Sequence, residues 1–99
     1  MNRYLTEFLG TFFLTLIIGL CVTQNVALAP LVIGTGLMTL VFMGGHVSGA
    51  HYNPAVSIAV FIRGKLSPKD LPWYLTAQLV AAFAAAGVAY AIMGKTFNI

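Results

Sequence analysis

The polar residues of this chain collect in one place. The stretch "GGHVSGAHYNPAVS", residues 44–57, carries His46, Ser48, His51, Asn53 and Ser57 between strongly apolar runs. Metal binding is the first chemistry that two histidines suggest. Their spacing of five does not stack them on one helix face, and no carboxylate or third ligand is adjacent, so no metal site is expected. No nucleophile–base pair supports an enzyme either, and nothing implies a cofactor. What remains is hydrogen bonding. Asn53 is a good N-cap and Pro54 suits the first position of a helix. A helix starting there points free N–H groups and a partial positive charge back along the chain. The backbone before it, bent at Gly49, leaves carbonyls free to accept.

The elements around this stretch must be apolar on a scale that only lipid tolerates. Of 99 residues, 60% are hydrophobic, five are basic and two acidic, and the mean hydropathy is +0.93. Seven charges cannot cover the surface of a small soluble domain. The formal charge of +3 comes from scattered residues, with no basic stripe and no aromatic–basic interleaving, so nucleic acid is not a partner. Cys21 is single and sits in an apolar run. It reads as a small buried side chain.

Apolar runs of spanning length predict an all-α membrane protein. Three transmembrane helices are expected over about 4–22, 30–46 and 70–94, with one re-entrant half-helix over about 53–62. The first run is too long for a signal peptide, holds Glu7 near its start and is followed by an unconvincing cleavage site, so it reads as a retained helix. Pro30 opens the second run, which is expected to stop at Gly44-Gly45 or just past it at His46. "PAVSIAVFI" covers roughly half a bilayer at ~1.5 Å per residue. Asp70 or Ser67 is the expected cap of the last helix.

Arg3 precedes the first span, and Arg63, Lys65 and Lys69 lie between the half-helix and the last span. The positive-inside rule then puts the N-terminus in the cytoplasm, with only Lys95 on the far side. The very short loops suit a prokaryotic inner membrane. Trp73 and Tyr74 read as an interfacial aromatic anchor, and Phe12, Phe13, Phe42 and Phe83 as packing or lipid-facing residues. Thr11, Thr15, Gly19 and Thr23 form one small-residue stripe, and Ala77, Ala81, Ala85 and Ala89 another. Such stripes let helix backbones approach closely in lipid.

"SGAHYNPAVS" resembles the first Asn-Pro-Ala signature of the aquaporin, or major intrinsic protein, family. "EFLGTFFL" resembles the family's first helix, with its glutamate at Glu7, and Gln78 in "TAQLVAAFAAA" resembles the glutamine of the third. The resemblance implies a passive channel for water or a small neutral solute in a lipid bilayer. It implies that Asn53 donates its amide NH₂ to the permeant and that Pro54 and Ala55 stack the half-helix against a partner at the midplane. The carbonyls of Gly49, Ala50 and His51 would form a ladder of acceptors. Glu7 and Gln78 would brace the loop, and Ile33 would match a pore-wall position on the second helix.

Members of that family carry two such repeats, inverted in the membrane. This chain shows one, with Val56 after Ala55 where a second repeat would bring an arginine. Three relations to a second half stay open: a longer gene of which this is a part, a separate second chain, or an inverted copy of this one. A non-conducting membrane interaction subunit, or an inert fragment of such a channel, is the other class of function that the single repeat allows.

Overall fold

The computed structural model describes residues 2–93. It contains four helices: α1 Arg3–Thr23, α2 Ala29–Ser48, α3 Pro54–Ile62 and α4 Leu71–Met93. Among the described residues every regular element is a helix. Three of them, α1, α2 and α4, are long and apolar enough to cross a membrane, and α3 is not. Nine residues at ~1.5 Å each take α3 about halfway through a ~30 Å hydrocarbon core. The expected all-α architecture of three spans and one half-helix is therefore the observed one. Gly94, the expected end of the last helix, and Lys95, the expected outer charge, lie outside the described residues.

α1 and α4 run side by side in the same direction. Arg3 meets Asp70 at one end, and at the other Gln24 Nε2 lies 3.2 Å from Met93 Sδ. The small-residue stripes make this contact. Thr11, Ala81, Ala85 and Ala89 are buried, and a Cβ added at Gly19 would meet the Ala89 methyl at 3.9 Å. With no large side chains between them, the backbones close on one another, which is how apolar helices gain packing energy where water drives nothing. α2 returns antiparallel to α1, and α3 packs on α4.

Two ends differ from expectation for physical reasons. α2 does not stop at Gly44-Gly45 or His46 but runs to Ser48, where Gly49 closes it in the left-handed region (φ 90°) and donates to the Gly45 carbonyl. Gly44 is helical, and its missing side chain makes room for a neighbour. A Cβ there would collide with the Tyr52 hydroxyl. At the start of α4 the Asp70 carboxylate does not cap its own helix. Oδ2 accepts from Arg3 Nη1 at 2.8 Å, and Oδ1 accepts from Arg3 Nη2 at 3.2 Å and Tyr4 Oη at 2.8 Å. The Ser67 hydroxyl accepts from Lys69 N instead.

The aromatic anchor also divides. Trp73 is 60% exposed, as an interfacial ring should be. Tyr74 is buried, and its hydroxyl donates to the Ser48 carbonyl at 2.7 Å. Phe42 and Phe83 face outward.

Candidate functional site

Between Ser48 and Pro54 the backbone leaves helical geometry. Gly49, Ala50 and Tyr52 all take positive φ, at 90°, 54° and 55°. For the two residues with a Cβ this costs on the order of 1–3 kcal/mol each. The surroundings must therefore hold the loop.

Glu7 is the main holder. It is fully buried and both carboxylate oxygens are occupied. Oε2 accepts from Ser48 Oγ at 2.6 Å and from His51 N at 3.0 Å. Oε1 accepts from Tyr52 N at 2.8 Å and from Gln78 Nε2 at 2.7 Å. One side chain on α1 thus joins the end of α2, the loop and α4. Hydrogen bonds to a charged acceptor are about twice as strong as neutral ones, and more so where water is excluded.

Tyr52 is the second holder, and sequence reasoning missed it. Its ring fills the notches left by Gly10 on α1 and Gly44 on α2, where any Cβ would collide with it. Its hydroxyl donates to the Leu40 carbonyl at 2.8 Å. The signal was present: an aromatic residue within a polar loop, and a glycine in each of two apolar helices. Ser48, Ser57 and Tyr74 were also missed as positioning residues. Ser48 Oγ accepts from Ala50 N at 3.2 Å, and Ser57 Oγ accepts from Gln78 Nε2 at 2.8 Å.

Asn53 opens α3 from extended backbone (φ −161°). Its Oδ1 accepts from Ala55 N at 2.8 Å, and its carbonyl accepts from Ser57 N at 3.1 Å. The side chain is exposed, and its NH₂ donates to no protein atom among the described residues. Pro54 stands at the first helical position, where its missing N–H loses nothing.

The loop thus gathers Gly49, Ala50, His51, Asn53, Pro54 and Ala55 with Glu7 and Gln78. Ile33 is not among them. It is half-buried one turn into α2, and fifteen residues at ~1.5 Å put it about 22 Å along the helix from Ser48. His46 is exposed on α2. Among the described residues no three His, Cys, Asp or Glu side chains converge as a metal site would require.

A half-length helix that packs on one of three apolar helices long enough to span, with its N-terminus meeting a strained polar loop, defines a class of integral membrane protein. The family is equally clear. The Major intrinsic protein family matches residues 1–98, and the chain belongs to it. The chain is 36% identical to "Aquaporin Z" of Brucella melitensis, over 93% of this chain and 44% of that protein. It is 38% identical to the "Glycerol uptake facilitator protein" of Pseudomonas aeruginosa, over 97% of this chain and 37% of that protein. "Aquaporin-1" of the fungus Rhizopus delemar is 40% identical, with 93% and 33% covered. The chain therefore spans between a third and under half of the length of these relatives. No solved structure gives a significant match.

Proposed function

We propose that the chain is one repeat of a passive channel for water or a small neutral solute, and that a second repeat completes its pore. The observation that carries this reading is the state of Asn53. Its oxygen is engaged by Ala55 N, while its NH₂ meets no protein acceptor among the described residues at the start of the half-helix. A neutral permeant would find there a donor, with carbonyls of Gly49, Ala50 and His51 as acceptors along the approach. An ion would lose its hydration without replacement, and the positive helix end would repel cations. In this reading Glu7 and Gln78 brace the loop, Pro54 and Ala55 stack against the second repeat, and Ile33 belongs to the outer pore wall. The N-terminus faces the cytoplasm, because Arg3, Arg63, Lys65 and Lys69 share one side.

The need for a second half is supported by α2. Gly34, Leu37, Met38, Val41, Phe42 and His46 line an open hollow of about 580 Å³ on its outer face. The second repeat is a further segment of the same protein, a separate chain or an inverted copy. The similarity to proteins named aquaporin and glycerol uptake facilitator supports a small neutral permeant.

The test is stopped-flow light scattering on proteoliposomes. Vesicles holding this chain together with a second-repeat chain from a relative should shrink faster under osmotic shock than vesicles holding either alone. Asn53→Asp should remove the gain, since a carboxylate lacks the NH₂ donor. Co-inserted halves that shrink no faster than lipid alone would favour the non-conducting subunit.

A further inference from the structure

We propose that one water molecule is bound inside the α1–α4 seam, accepting a hydrogen bond from Thr11 and donating one to Gln78, and that Thr11 positions the Gln78 amide through it. This water sits between two helices, so its presence is independent of the channel reading.

Among the described residues, two buried side-chain polar atoms meet no protein partner: Thr11 Oγ1 and Gln78 Oε1. Thr11 is 3% exposed and Gln78 0%. The two are complementary. A threonine hydroxyl has a proton to give, and an amide oxygen can only accept. Buried polar groups left unpaired are costly, and native interiors keep few of them.

Neither residue takes the outlet nearest to it. The Gln78 amide cannot turn over, because its nitrogen donates to Glu7 Oε1 at 2.7 Å and to Ser57 Oγ at 2.8 Å. Reversed, its oxygen would face a carboxylate that already accepts from Ser48 Oγ, His51 N and Tyr52 N. Thr6, Thr23, Thr39 and Thr76 each donate to the carbonyl four residues back. Thr11 makes no such bond.

The helix register brings the pair together. Glu7 meets Gln78, 71 positions on. A Cβ at Gly19 would meet Ala89, 89 − 19 = 70 positions on. Thr11 lies between these two contacts, four residues past Glu7 on the same face of α1. It therefore faces the turn of α4 that holds Ala81, about one turn past Gln78. A turn is ~5.4 Å, and a water with two hydrogen bonds of ~2.8 Å each reaches across such a gap. No direct bond joins the two atoms. Ala81 and Ala85 are fully buried, and with methyl side chains neither brings a polar group that could replace the water. A buried water needs two to four polar partners. Thr11 and Gln78 supply two, and the second water proton can go to the spare lone pair of a helix carbonyl.

Held in this way, the amide is fixed at both ends. Glu7 and Ser57 hold its nitrogen, and the water holds its oxygen. Thr11 is then a positioning residue for the amide that serves Glu7, although it touches neither.

The test is a density map of this chain, crystallised from lipid, at a resolution that shows single waters. The expected map has a peak within about 2.6–3.2 Å of both Thr11 Oγ1 and Gln78 Oε1. No peak, a peak touching only one of them, or a direct bond between the two overturns the proposal. The positioning role is read from the Gln78 side-chain NH₂ signals in solid-state NMR of Thr11→Val and Thr11→Ser. The valine variant, which keeps the shape and loses the hydroxyl, should shift or broaden those signals. The serine variant should keep them as in the parent. Parental signals in a folded valine variant, or altered signals in the serine variant, overturn the positioning role. If Thr11→Val does not fold, the parent map still decides the water and the serine variant still decides the role.

Discussion

Two carboxylates tie α1 to α4, and they do different work. Asp70 pairs with Arg3 and Tyr4 at the end where both helices begin, where the Arg3 side chain is 51% exposed. Glu7 sits one turn further in, fully buried, with two backbone N–H groups among its four donors. The first is a fastener between helix ends that water and salt can compete for. The second is the acceptor around which a strained loop is arranged. The same functional group between the same two helices changes from accessory to organiser one helical turn further in, through the kind of donor it meets and the exposure of that donor.

Removing each carboxylate in turn sharpens that contrast. Glu7→Ala should have the largest effect, because it leaves Ser48 Oγ, two loop N–H groups and the Gln78 amide without their acceptor. Unpaired buried donors cost about 1–3 kcal/mol each, so a loss of at least about 3 kcal/mol is expected in thermal or denaturant unfolding in lipid or detergent. A variant as stable as the parent would mean that Glu7 is an ordinary interfacial carboxylate. Gly44→Ala comes next. The added methyl meets the Tyr52 hydroxyl and the Thr6 methyl, and overpacking of this kind costs about 1–3 kcal/mol. Adding Tyr52→Phe should recover part of that loss, measured as non-additive shifts in the melting temperature. Asp70→Asn should cost least, about 1 kcal/mol or less, and the difference from the parent should shrink as salt is raised from low to high ionic strength. A cost equal to that of Glu7→Ala would erase the comparison.

Much of the architecture was legible because lipid imposes a simple grammar. Long apolar runs had to be spans, and Asn53-Pro54 had to begin a helix, since cap and first-turn proline act locally. The small-residue stripes announced close helix packing, though not that α1 and α4 would be the pair. The loop's supports were harder to see. Glu7 and Gln78 came through family resemblance, whereas Tyr52 and Ser57 passed unnoticed. Their roles depend on partners between 12 and 42 residues away for Tyr52, the Leu40 carbonyl and the Gly10 notch, and 21 away for Ser57, the Gln78 amide. The misplaced end of α2 has the same origin. Gly44-Gly45 looks like a stop when read locally, but Gly44 is a socket for a ring that arrives eight residues later. Tyr74 looked like a belt residue beside Trp73 because adjacent helical positions differ by about 100° in direction, and only one of the two faces the lipid.

The sequence separations around Glu7 also order the making of the protein. Ribosomes deliver Glu7 first, then Ser48, His51 and Tyr52 some 41 to 45 positions later, and Gln78 at 71. Until α4 enters the bilayer, Glu7 lacks its Gln78 donor, the Ser48 carbonyl lacks the Tyr74 hydroxyl, and the Ser57 hydroxyl lacks its amide donor. Completion of the site is thus tied to insertion of the last span. A chain arrested before α4 would leave Glu7, Ser57 and the end of α2 without the partners that α4 supplies.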